Sequence, residues 1–293
     1  NNINKSNLLK FLFFSIILMS VYNKNGDETK ELHKIYKSPT RGLIYDRKGR
    51  LLAENIPEDK ISQFLLQKKN GEITTNNRLI RHYPYGVLTS HVIGYGMNIT
   101  DAEFDFLHLS KYHGIPFIGR AGIEEFFDDQ LRGKAGISFE VADEGVSKQL
   151  VSQKTIHGKN LRLTLDIDLQ KAAYDALGDF NGAVVAIEVK TGDVLASVSK
   201  PAFDPNALVS GGSTYKKKLM AVESRPLFNR VSQGLYQPGS TVKPFIGLAG
   251  LEVNAIDSQH KIPCSGSYTL EGFKHKYRDS KRWGHGLMDL KSA

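Results

Sequence analysis

The chain has 293 residues, 39 Lys plus Arg against 31 Asp plus Glu for a formal net charge of +8, with 40% hydrophobic and 24% charged residues. These fractions are those of a globular protein and exclude a disordered, collagen-like or multi-span membrane chain, while the length suggests about two domains. One cysteine excludes a disulfide framework and any multi-cysteine metal centre. The basic balance admits nucleic acid or an anionic membrane as partner. No nucleic-acid motif occurs, so the membrane is preferred.

In chain order, the first strong signal is the apolar run FLFFSIILMSVY, residues 11–22, with Lys5 and Lys10 ahead of it. A full span takes about 20 apolar residues, more than this run has, but a snorkelling Lys10 lengthens it. The following MSVYNKNG offers no small-x-small cleavage site, so residues 1–22 are expected to be an uncleaved membrane anchor. A signal peptide is the second reading and a buried core helix the third; in the first two the rest of the chain leaves the cytoplasm. Residues 23–39 are polar and charged, a juxtamembrane linker or short helix.

A first module is read over residues 40–157. It opens on a β-hairpin around Asp46–Gly49, with Gly at a left-handed turn position. Residues 60–80 show no pattern, and Tyr83–Gly86 is turn chemistry. His82 and His91 read as packing or loop residues, and the Asn98-Ile99-Thr100 sequon as a turn. In IEEFFDDQL, the spacing of Ile123, Phe126, Phe127 and Leu131 predicts a helix, ended by Gly133 and Gly136 and followed by a strand ISFEV.

The second module is read over residues 158–293. Leu161–Leu165 alternates as a strand, and Asp166 or Asp168 caps a helix through LQKAAYDAL. Strands over 183–189 and 194–199 are joined by a hairpin turn at Lys190–Asp193. Residues 200–215, rich in Pro, Gly and Ser, are expected to form a long loop, and Lys216–Lys218 a solvated one. Helical pattern returns from Gly239 to Glu252. The class is α+β, with α/β on one sheet per module as the alternative.

The most informative string is Gln237-Pro-Gly-Ser240-Thr-Val-Lys243-Pro244-Phe245. If Ser240 begins a helix, Lys243 lies one turn on, on the same face, where its amine can reach the hydroxyl. A partly desolvated lysine can serve as the base for a serine nucleophile, beside the free amides of a helix N-terminus. Ser-x-x-Lys alone carries little information, since it recurs at Ser197/Lys200, Ser213/Lys216 and Ser258/Lys261. Ser240 is distinguished by the expectation that it opens a long apolar-faced helix. On pattern alone a plain helix cap is the simpler reading.

RGLIYDRKGRLLAEN, YPYGVLTSHVIGYG, GRAGIEEFFDDQLRGKAG, TLDIDLQKAAYDAL, GAVVAIEVKTGDVLASVSKPAFDPN and NRVSQGLYQPGSTVKPF follow the order found in class B penicillin-binding proteins. With YRDSKRWGHG they resemble most the elongation type, the penicillin-binding protein 2 group. The resemblance implies a membrane anchor, a mixed dimerisation-like pedestal and the first part of a penicilloyl-serine transferase domain of the β-lactamase/transpeptidase kind. It implies D,D-transpeptidation of peptidoglycan stem peptides, with Ser240 as nucleophile, Lys243 as base for acylation and β-lactams as substrate mimics. It places the protein as a single-pass protein of the inner membrane, mostly periplasmic, with a SEDS-type glycan polymerase and an MreC-like scaffold as partners and no nucleic acid.

The chain also departs from the family pattern. No Ser-x-Asn string follows Ser240, and Lys190-Thr191-Gly192 spells Lys-Thr-Gly upstream, in a hairpin turn, where it is rejected as the catalytic one. The chain therefore reads as a C-terminally truncated fragment with a shortened pedestal, expected to lack turnover. A β-lactamase or β-lactam sensor of the same fold, and a non-catalytic fragment that binds the elongation machinery, are the alternatives. No cofactor is required. Cys264, Asp279 and His285 are zinc-ligand types, and the resemblance implies a structural zinc near YRDSKRWGHG; a free thiol, an exposed acid and a loop histidine are the simpler readings.

Overall fold

The computed structural model describes residues 32–57, 79–100, 103, 112–143 and 146–292. The expected anchor, the first part of the linker and most of the patternless stretch lie outside the described residues. Among the described residues no helix is long and apolar enough to cross a membrane. The chain divides into two units, one ending at Gly234 and one starting at Leu235.

Strand β1 (Leu32–Lys37) occupies what the sequence presented as linker or short helix. Its pairing partner lies about a hundred residues on, so no local pattern announces it. β2 (Ile44–Tyr45) and β3 (Leu51–Pro57) form the expected hairpin. The Asp46 carboxylate accepts the N–H groups of Lys48 and Arg50, and Gly49 takes φ +84°, a conformation costly for any residue with a Cβ. β4 (Leu79–His82), α1 (Ser90–Ile93), β5 (Tyr95–Asn98) and β6 (Phe117–Ala121) follow. The expected single helix over 123–131 is two short ones, α2 (Gly122–Phe126) and α3 (Asp128–Arg132), broken at Phe127 where Asp128 turns into the interior. A Cβ on Gly119 would sit 1.9 Å from the Glu124 carbonyl oxygen, so β6 and α2 approach this closely only through glycine.

β7 (Gly136–Asp143), β8 (Val146–Gln153) and β9 (Leu161–Arg162) come next, β9 being shorter than the strand expected there. α4 (Ile167–Ala176) is capped by Asp166, which accepts the N–H of Asp168. β10 (Gly182–Ile187) and β11 (Val194–Lys200) form the expected hairpin. The expected long loop after it is instead helix α5 (Pro205–Met220). Asp204 caps it, Pro205 sits where its missing N–H has no helical acceptor, and Gly212 marks a kink at φ +52°. Pro and Gly, read as loop composition, are its start and its bend. Lys216–Lys218 belong to its last turns, where cations favour the helix dipole.

The strands of this unit form a β1-β7-β8 sheet, a β4-β3-β2-β9 sheet and the two hairpin pairs β5-β6 and β10-β11. β9 pairs parallel to β2, Ile44 opposite Leu161. The core takes residues from both sides of position 158: Ile44, Leu52, Tyr83, Ile93, Tyr95 and Leu131 with Leu165, Ile167, Phe203 and Leu208.

An ion network runs through the same interior. Fully buried Glu124 accepts from Arg41 Nε at 2.7 Å and Arg81 Nε at 2.6 Å. Arg41 also reaches Asp128 at 2.8 Å, and Asp128 takes Arg132, the Tyr112 hydroxyl and the Gly119 N–H. Carboxylates that face arginines on other segments keep each buried charge partnered.

In the second unit a 3₁₀ turn (Gly239–Val242) leads into α6 (Lys243–Glu252). Beyond it β12 (Ile262–Cys264), β13 (Ser267–Thr269), β14 (Lys276–Arg278) and β15 (Gly286–Met288) form two antiparallel pairs, β12-β15 and β13-β14.

Candidate active site

The turn that presents Ser240 is closed by its neighbours. The N–H and hydroxyl of Thr241 both donate to the Pro238 carbonyl, and the Lys243 N–H donates to the Ser240 carbonyl. Pro244 occupies the first turn of α6, where the helix needs no N–H from it. No side chain caps either the turn or α6, so the plain helix-cap reading of Ser240 is not met. Ser240 and Lys243 are exposed, and among the described residues neither side chain has a hydrogen-bond or ion-pair partner. The structure thus puts the hydroxyl and the amine on one turn, without a bond between them. Phe245, Ile246 and Leu248 of α6 are each more than 60% exposed, an apolar surface on more than one side of the helix.

The other Ser-x-x-Lys pairs separate less cleanly than expected. Ser197 lies in β11, but Ser213 and Lys216 share helix α5. Helical placement therefore does not single out Ser240; the surrounding string does. A feature with no sequence signal of its own lies just upstream, in the first unit. Arg230 donates to the carbonyls of Ser224, Arg225 and Phe228, while its N–H donates to the buried Ser199 hydroxyl. Asn229 donates to the His91 carbonyl and accepts from the N–H groups of Val231 and Ser232. Gln233 closes this turn, its side-chain oxygen accepting the Asn229 N–H and its own N–H donating to the Asn229 carbonyl.

Cys264, Asp279 and His285 come together in the second unit. Pairing of β12 with β15 sets Cys264 opposite Gly286, beside His285, and the Asp279 N–H donates to the Gly266 carbonyl. The Cys264 thiol donates to Asp279 Oδ2 at 3.0 Å; His285 Nδ1 lies 3.1 Å from that oxygen and 3.9 Å from the sulfur. Hydrogen bonds from the thiol first, then from the Lys281 N–H and the Ser280 hydroxyl, hold the Asp279 carboxyl well below the usual carboxylate range. One ring nitrogen faces both partners. A Cys-His-Asp relay would use the two nitrogens separately, so the geometry does not suit nucleophilic catalysis. Instead the three ligand atoms lie within 4.8 Å of one another. Thiolate, imidazole and carboxylate fit zinc.

Comparison with known proteins adds the wider context. Residues 182–293 match the penicillin-binding protein transpeptidase domain, and residues 59–163 the penicillin-binding protein dimerisation domain. Peptidoglycan D,D-transpeptidase MrdA of Acinetobacter baumannii is 36% identical over 243 residues, covering 82% of this chain and 36% of that protein. MrdA of Haemophilus influenzae is 31% identical over 349 residues, covering 96% and 54%. Among solved structures, Pseudomonas aeruginosa PBP2 in complex with WCK 5153 is similar with a TM-score of 0.69 at 36% identity, over 89% of this chain and 50% of that one. A complex between PBP2 and MreC from Helicobacter pylori gives 0.68 at 25% identity, over 89% and 60%. The chain spans between 36% and 54% of the length of these two curated relatives.

Proposed function

Because the chain belongs to the penicillin-binding protein family, with its dimerisation module ahead of its transpeptidase module, we propose that it serves peptidoglycan D,D-transpeptidation during cell elongation, with turnover beyond acylation of Ser240 requiring the Ser-x-Asn and Lys-Thr-Gly groups that the family resemblance implies. Ser240 Oγ attacks the carbonyl of the D-Ala–D-Ala bond, and its proton passes to the Lys243 amine. The C–N bond breaks as the terminal D-Ala amine takes that proton and leaves; an amine of a second stem peptide then attacks the acyl carbon, the Ser240 ester bond breaks, and the amine's proton returns to Ser240 Oγ. The amides at the start of the turn favour the negative charge that develops on the carbonyl oxygen. The observation that carries this reading is the uncapped, unengaged Ser240 hydroxyl one turn from the Lys243 amine. A β-lactam, which mimics the scissile dipeptide, would leave the same acyl-serine.

A fluorescent penicillin added to cells expressing the protein is expected to acylate it, and peptide mapping to place the adduct on Ser240. Undiminished labelling of Ser240→Ala would reject the assignment. The dimerisation match argues against a β-lactamase or sensor of the same fold, proteins without that module. The Helicobacter complex supports a scaffold of the MreC kind as partner. A SEDS-type glycan polymerase, an inner-membrane anchor and a mostly periplasmic placement rest on family resemblance.

Cys264, Asp279 and His285 would hold a zinc ion, which when bound supplies a cross-link among β12, the end of β14 and the segment entering β15. Metal analysis of the purified protein should find zinc, and Asp279→Asn should lower both zinc content and thermal midpoint. Protein free of zinc, with a midpoint indifferent to added zinc, would rule the site out.

A further inference from the structure

At one end of the β1-β7-β8 sheet lies a groove of about 310 Å³ that the catalytic reading does not use. It is lined by Lys37, Ile137, Gln153, Lys154, Thr155 and His157. Register explains why they meet: Lys37 pairs with Gly136 and Gln153 with Ile137, so the ends of β1 and β8 flank the start of β7. The chain leaving β8 then folds back. Thr155 donates to the Lys37 carbonyl, the Gly158 N–H donates to the Thr40 carbonyl, and the Thr40 N–H donates to His157 Nδ1 at 3.0 Å. Because Nδ1 accepts, the proton of a neutral His157 is on Nε2, and the ring keeps one donor to offer.

The lining is rich in donors and holds no carboxylate. Among the described residues neither Lys37 nor Lys154 has a salt-bridge partner. We propose that this groove binds a phosphate group, either of a lipid headgroup or of a soluble phosphate. Two ammonium groups, an amide and an imidazole N–H suit a group with several acceptor oxygens and more than one negative charge, while the Thr155 hydroxyl is spent on the Lys37 carbonyl. The cations are lysines, which bind phosphate as point charges; the planar fork that selects a carboxylate is arginine's, and no arginine lines the groove. No Phe, Tyr or Trp lines it either, so the broad stacking platform of a single-stranded nucleic acid is missing.

The test uses the full chain in neutral detergent, with inorganic phosphate followed by ³¹P line broadening. A parallel arm measures flotation with phosphatidylcholine vesicles, with and without phosphatidic acid; the readout is the gain that the anionic lipid brings, since the apolar N-terminal segment can hold any vesicle. Lys37→Gln with Lys154→Gln is compared with Lys190→Gln and Lys218→Gln, exposed lysines elsewhere that remove the same charge. Each groove lysine should contribute about fivefold, and the pair roughly 30-fold, with the control pair near wild type. A loss confined to the phosphate arm identifies a soluble ligand; a loss confined to the vesicle arm identifies a headgroup. No binding in either arm, or an equal loss in the control pair, overturns the proposal.

Discussion

Replacing Lys243 with Gln is expected to slow acylation of Ser240 by about 10²–10⁴-fold, the range a positioned general base contributes. The residue is exposed and has no ion-pair partner among the described residues, so its loss should change stability by no more than about 0.5 kcal/mol. Glutamine keeps most of the reach of the side chain and removes the amine. Labelling by a fluorescent penicillin, followed in time at several concentrations, separates the maximal acylation rate from half-saturation. The maximal rate should fall while half-saturation holds, since the interaction lost is one made in the transition state. An unchanged rate would put the base elsewhere and leave Lys243 a surface lysine.

Glu124→Ala should destabilise the first unit by about 3–5 kcal/mol, the cost of breaking a buried ion pair by removing one partner. Two guanidinium groups lose their carboxylate at once. Arg41 retains Asp128 and the Glu124 carbonyl, but Arg81 is left with the Asn55 amide, and among the described residues its Nη2 already has no hydrogen-bond partner. Arg81 is only 4% exposed, so water does not replace what is lost. Urea denaturation of the purified protein measures the effect, as a midpoint lower by roughly 2 M at a typical slope. A shift smaller than about 1 kcal/mol would mean that the interior relaxes around the arginines and that the network is not what holds these segments together.

Local chemistry made much of the fold readable. The Asp46–Gly49 turn, the Asp166 cap and the turn between β10 and β11 each rest on a few adjacent residues whose side chains or φ preferences act on their own backbone. What escaped was decided at a distance. β1 is a strand because β7 pairs with it, and β9 is cut to two residues because only Ile44 and Tyr45 are opposite it. The α5 error has another cause: Pro205 and Gly212 break a helix interior but start or bend a helix when placed at its first position or its kink. At the site, the turn and helix after Ser240 were legible, and so was the meeting of Cys264, Asp279 and His285. The clasp of Arg230 on three carbonyls was not, because a guanidinium that binds backbone leaves no complementary side chain to notice in the sequence.

The parallel pairing of β2 with β9 also orders events in time. The hairpin at Ile44–Pro57 is complete early in synthesis, yet its neighbour Leu161 and the core residues Phe203 and Leu208 emerge much later. At ordinary elongation rates that interval is on the order of ten seconds. Throughout it, Ile44 and Leu52 belong to a nascent chain whose interior is unfinished, and an open strand edge is available to any other extended segment. A chaperone that holds this hairpin has its task defined by residue number: it is needed from the release of Pro57 until Leu208 is free to pack.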